Sequence, residues 1–296
     1  MTNFYNRIFT LLLLVAIQAC FDKACYAQSI AKYPFFTYTF GGLSQYDIPK
    51  QVKLLTGLGY DGLAVEVTKA VDLERLEHYL QYSQEHPGFK VFSVFVRYNF
   101  DDAEADKDRW REVLKKIKKK DINLWFIFGP KRTGVTDNTL DSVLKVVNSV
   151  ALVNKVQMTL YPHSLCYISS AEQAMPFVKR VGSPNVKLAV HLCHEVRAGN
   201  GARIGEVVKN VRQYIGAATI AGTDSVADFT SALKMDTTTI KPLDRGNYDV
   251  RIFLRALKVN RYKGPIGFIN FKIAEKPEDY LDRSMRIWRK FKTEIL

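Results

Sequence analysis

Residues 156–224 read VQMTLYPHSLCYISSAEQAMPFVKRVGSPNVKLAVHLCHEVRAGNGARIGEVVKNVRQYIGAATIAGTD. Three short apolar runs, Val156 to Tyr161, Val186 to Leu192 and Ala217 to Ala221, are separated by segments that carry apolar residues at helical spacing. Ser170 and Gln173 have the spacing of a capping box, and Gly182 sits where the helix between them should end. Strand, helix, strand, helix, strand is the pattern of a parallel sheet, because parallel neighbours need a crossover that an amphipathic helix supplies.

The same alternation extends in both directions. Further strand candidates are Phe35 to Phe40, Gly62 to Val67, Val91 to Tyr98 and Ile122 to Phe128 on one side, and Ile266 to Phe271 on the other. Helical stripes lie between them, such as Ile48, Val52, Leu55 and Leu58, or Leu73, Leu76 and Leu80, or Trp110, Val113 and Ile117. Gly59 and Gly88 mark helix ends. A last stripe, Tyr280, Ser284, Ile287, Trp288 and Phe291, closes the chain. Eight strands each followed by a helix, in about 250 residues without a Pro-, Gly- or Ser-rich linker, predict a single closed (β/α)8 TIM barrel. An open doubly wound sheet would show a Gly-rich phosphate turn, and the Gly199-Asn200-Gly201 stretch lacks the three-glycine pattern. The long stretch Thr223 to Asn247 is expected to lie as irregular loop over the mouth of the barrel.

The chain of 296 residues is 47% apolar and 25% charged, enough to build a large core and too ordered in pattern for a disordered polypeptide. Its beginning reads separately. Arg7 precedes the apolar run Ile8 to Ile17, and Cys25-Tyr26-Ala27 suits signal-peptidase cleavage before Gln28. The expected organisation is a signal peptide over 1–27 and the barrel over 28–296, with export to the periplasm or the extracellular space. Ile17-Gln18-Ala19-Cys20 supports a competing reading, a lipoprotein anchored through Cys20. No later run is long and apolar enough to span a bilayer. Removal of the leader leaves Cys166 and Cys193, expected to be buried free thiols rather than a disulfide. The 43 basic and 30 acidic side chains give +13, which favours anionic or neutral partners. The most basic run, Lys115 to Lys120, continues the helix begun at Trp110 and reads as a solvated face. Export and the lack of interleaved surface aromatics count against nucleic acid.

In such a barrel, chemistry sits at the carboxyl ends of the strands, so polar residues there are the candidates. They are Glu66 after the second strand, Arg97 after the third, His163 after the fifth, His191, His194 and Glu195 after the sixth, Asp224 after the seventh and Asn270 in the eighth. Three of the five histidines fall in this set, whereas His78 and His86 read as surface residues. Glu66, His163, His191 and His194 are the candidate catalytic residues, able to move a proton beside a carbonyl. Arg97, Asp224 and Lys241 are the candidate substrate-binding residues.

Tyr161-Pro162-His163, then Val190-His191-Leu192-Cys193-His194, Ile220-Ala221-Gly222-Thr223-Asp224, Ile240-Lys241-Pro242-Leu243-Asp244-Arg245-Gly246, Tyr248-Asp249-Val250 and Tyr262-Lys263-Gly264-Pro265-Ile266 resemble the sugar phosphate isomerase/epimerase family of xylose-isomerase-like TIM barrels. The likeness covers essentially all of 28–296 and extends to the closing Arg283-Ser284-Met285 to Trp288. It implies isomerisation or epimerisation of a sugar or keto-sugar, a small-molecule substrate and a divalent metal such as Mn, Mg or Zn. The family's metal site takes Glu, Asp, His and Glu from the fifth to eighth strands, and the matching positions here are Tyr161, His191, Ala221 and Asn270. The usual ligands are therefore largely replaced, while His194 matches a substrate-contacting histidine. The alternative implied by the same departures is a non-catalytic carbohydrate-binding barrel. The family's DNA-endonuclease branch is disfavoured by export and by the missing ligands.

Overall fold

The computed structural model describes residues 33–296, so the leader, its Ala27 site and Cys20 lie outside the described residues. Eight parallel strands close into a barrel in sequence order: β1 (Phe35–Tyr38), β2 (Gly62–Val67), β3 (Lys90–Tyr98), β4 (Asn123–Phe128), β5 (Met158–Leu160), β6 (Val186–His191), β7 (Ile215–Ile220) and β8 (Ile266–Phe268). Each expected strand is present, trimmed or extended by a few residues at its ends. Closure comes from the register Phe35 with Ile266, Phe36 with Gly267 and Thr37 with Phe268.

Both faces of this sheet are covered, which is why the strands are continuous apolar runs rather than alternating ones. Inside the barrel, Phe36 packs against Trp125 with ring centroids 5.9 Å apart, and Tyr38 against the same indole at 5.8 Å. Gly267 makes room for this filling, since a Cβ there would come within 2.7 Å of the Phe36 ring. Outside, helices lay one apolar stripe on the strands. Asp47, Ser170 and Asp249 cap three of them by accepting from the main-chain N–H of Lys50, Gln173 and Arg251. Gln173 itself accepts from Ser169 rather than from Ser170, so the expected capping box is only half formed. Gly59 and Gly182 end their helices with positive φ, whereas Gly88 lies beyond the helix end at Glu85.

Two segments differ from expectation. The basic helix stops at Lys116, for Ile117 is its C-cap and Lys119 takes a positive φ and donates its N–H to the carbonyl of Asn154. Lys118 and Lys119 are solvent-exposed in the turn that follows. The stretch 223–247 is not irregular throughout, for it holds the helix Ala232–Thr239, capped by Ser231. Its stem is an antiparallel bridge between Gly222 and Lys241. Cys166 and Cys193 are free thiols, the second fully buried and the first half-buried. Among the described residues no helix is long and apolar enough to cross a membrane.

Candidate active site

The mouth is built around Tyr161, which follows β5 and is buried among rings. Phe95 and Trp125 approach it at centroid distances of 5.4 Å each, and the His191 imidazole stacks on it at 3.6 Å. His191 ends β6, and the chain then turns at once into the helix Leu192–Arg197, which places His194 one turn further on. His194 lies 5.7 Å from His191 and 4.2 Å from His163. The fold thus brings the three strand-end histidines together, as expected, into one contiguous cluster.

Burial pushes all three imidazoles below their ordinary range. His163 falls to about 4, first through loss of solvent and then through the charge of Arg97. His191 and His194 are also driven well down, by burial and then by neighbouring histidines. All three are therefore neutral at physiological pH, each with one N–H and one electron pair. Glu66 near the end of β2 is half-buried, and burial raises its carboxyl, with Asp72 adding to the rise and Arg97 opposing it. Arg97 thus acts electrically on Glu66 and on the imidazoles of His163 and His194, and its Nε is buried without a hydrogen-bond partner. Neutral imidazoles, a carboxyl group and a guanidinium around one mouth suit proton transfer beside a carbonyl, with positive charge for an enediolate.

The other strand-end candidates make contacts of their own. Asp224 and Lys241 satisfy each other at 2.5 Å and tie the stem of the strap over 223–247. Glu195 is fully buried as a structural tie, taking the N–H of Ala171 at 2.7 Å and Asn200 Nδ2 at 2.6 Å. Asn270 follows β8 rather than lying in it, and its amide nitrogen donates to Phe40 O and Tyr280 Oη. His78 and His86 are exposed.

A buried network escaped the sequence reading. Arg197 donates to Thr239 Oγ1 at 2.7 Å, to Ser164 Oγ at 3.1 Å and to Asp236 at 2.9 Å, and Lys272 takes the other Asp236 oxygen at 3.0 Å. Arg197 lies three residues after His194 on one short helix, and that spacing was the available signal. Ser164 and Asp236 gave none.

The four positions where the family holds a cation offer a poor donor set. His191 Nε2 is buried without a partner and is a competent ligand atom. Of the other three positions, Tyr161 carries a phenol that burial keeps protonated, Ala221 carries a methyl, and Asn270 offers one neutral amide oxygen, also buried without a partner, so two neutral donors stand where the family has three carboxylates and a histidine. Among the described residues no three His, Cys, Asp or Glu side chains are grouped to hold a metal ion. The residues present do not fit the family's divalent cation.

Residues 52–291 match the family model described as xylose isomerase-like TIM barrel. The chain belongs to this family. Among solved structures, it resembles the IOLI protein with a bound zinc atom at 17% identity and a TM-score of 0.70, over 89% of this chain and 99% of that one. D-psicose 3-epimerase from Clostridium cellulolyticum H10, solved with D-tagatose, shares 16% identity at a TM-score of 0.64, over 89% and 99%. The 3-keto-D-glucoside 4-epimerase YcjR of E. coli shares 13% at 0.64, over 88% and 100%. At these identities the likeness is one of fold. No curated protein matches the chain.

Proposed function

We propose that this barrel is an exported isomerase or epimerase of a sugar or keto-sugar, acting by proton transfer next to a carbonyl. The observation that carries this reading is the contiguous set of neutral imidazoles, with His163 and His194 only 4.2 Å apart, under the charge of Arg97. A neutral imidazole or Glu66 takes the proton from carbon, and the electron pair moves onto the carbonyl oxygen. Arg97 then lowers the energy of that enediolate. The family's metal takes no part in these steps. Membership of the xylose isomerase-like family and likeness of fold to sugar epimerases support the substrate class, and Arg7, the run Ile8 to Ile17 and Cys25-Tyr26-Ala27 support export.

The test is solvent deuterium exchange into a panel of ketoses and oxidised glycosides, with and without added Mn2+, Mg2+ or Zn2+, alongside metal analysis of the purified chain. Exchange into at least one sugar is expected, together with its loss in whichever of His163→Gln and Glu66→Gln removes the proton acceptor. The replaced ligand positions Tyr161 and Ala221 favour one second reading, a carbohydrate-binding barrel without catalysis. Sugar binding with no exchange under any metal condition decides for that reading.

A further inference from the structure

Ser164 touches the two closest imidazoles through different atoms. Its main-chain carbonyl oxygen lies 2.6 Å from His163 Nδ1. A carbonyl only accepts, so this nitrogen carries the hydrogen and His163 Nε2 keeps the free electron pair. The serine hydroxyl oxygen lies 3.2 Å from His194 Nδ1 and 3.1 Å from Arg197 Nη1. A guanidinium only donates, so the hydroxyl accepts from Arg197 and has one hydrogen left to give. Ser164 is buried, so that hydrogen needs an acceptor, and of the two groups bonded to the hydroxyl only His194 Nδ1 can be one. His194 therefore carries its own hydrogen on Nε2.

Arg197 has no freedom to do otherwise. It and Asp236 form an ion pair at 2.9 Å with both side chains buried, and Thr239 holds its Nε. Removing one member of such a pair leaves a buried charge, so the arrangement is rigid.

We infer that Ser164, oriented by Arg197, sets the two adjacent imidazoles in opposite tautomers, leaving His163 Nε2 as the proton acceptor and His194 Nε2–H as the hydrogen-bond donor. Ser164 and Arg197 are positioning residues. The catalytic roles rest on the function proposed above, whereas the tautomers do not. In that reaction a C–H proton passes to His163 Nε2, the electron pair moves to the carbonyl oxygen, and that oxygen accepts a hydrogen bond from His194 Nε2–H. His163 exchanges its new proton with solvent deuterium, and the reverse step places deuterium on carbon.

Long-range 15N–1H correlation spectra of the 15N-histidine-labelled chain at pH 7.5 read the tautomers directly, with His163→Gln and His194→Gln providing assignments. His163 is expected as Nδ1–H and His194 as Nε2–H. In Ser164→Ala, the His194 Nδ1 resonance is expected to move to that of an acceptor nitrogen without a bond, while His163 stays unchanged because its partner is main chain. Like tautomers in the unmutated protein, or an unmoved His194 Nδ1 in Ser164→Ala, overturn the inference. If Ser164→Ala fails to fold, the unmutated spectrum alone decides the assignment. Opposite tautomers without exchange into any sugar leave the inference standing and overturn the enzymatic reading. Exchange with like tautomers does the reverse.

Discussion

Glu195 lies against the amino end of the helix Ala171–Val181, where it takes the first free N–H. Burial outweighs this bond and raises its carboxyl to about 7. A carboxyl raised by folding binds its proton more tightly in the folded state than in the unfolded one. Its contribution to stability is complete below its ordinary value of 4.5 and is lost as pH rises through about 7. In Glu195→Gln this loss should vanish, flattening the urea-unfolding free energy between those limits by up to about 1.4 kcal/mol per pH unit. His163 has the opposite sign. Its value falls from 6.5 to about 4, so stability is present above 6.5 and lost as pH falls through about 4. His163→Gln should remove one proton from the acid limb of the same titration. The two variants thus separate a structural carboxylate from a site imidazole that a filter on strand ends treats alike.

The strap over 223–247 is held against main chain at its closing end. Gly246 has a φ of 94°, and a Cβ there would lie 2.2 Å from the carbonyl oxygen of Thr223. A side chain meets both left-handed backbone and a main-chain clash, neither of which a rotamer can relieve. Gly246→Ala is expected to cost about 2–3 kcal/mol and to accelerate proteolytic cleavage within 223–247. Urea midpoints and mass spectrometry of the fragments check both effects. The helix Ala232–Thr239 inside the strap buries Met235, Asp236 and Thr239. That face is two-thirds polar, so it shows no apolar stripe in the sequence. Asp236 is buried because Arg197 and Lys272 reach it from distant parts of the chain.

Closure makes the barrel one cooperative body. Phe35 of β1 pairs with Ile266 of β8, and Trp288 from the last helix, Pro277–Glu294, stacks on Phe35 at 4.3 Å. The first strand is thus covered by the last helix. Trp288→Ala should lower stability by about 3–5 kcal/mol within a single unfolding transition. Limited proteolysis should release no independently folded half, since either half exposes two unpaired sheet edges. At the level of the whole protein, mass spectrometry of material from the producing cell is expected to find Gln28 at the amino terminus. A diacylated Cys20 would indicate the lipoprotein form instead, and an intact Met1 would contradict export.

The amino-acid order by itself determined the repeating strand and helix pattern, the closed barrel it implies, and the placing of Glu66, Arg97, His163, His191 and His194 at strand ends. Each follows from local periodicity, because backbone geometry sets which neighbouring residues share a face. Tertiary structure alone decided which polar groups meet. Ser164 and Arg197 are 33 residues apart, Arg197 and Thr239 are 42 apart, and Asn270 reaches Phe40 across 230. Such partners are chosen by barrel closure, and a buried polar group bonds with whatever that closure brings within reach. For that reason Asp224 and Lys241 pair with each other, Glu195 holds a helix, and the tautomers of His163 and His194 depend on a serine that no sequence pattern singled out.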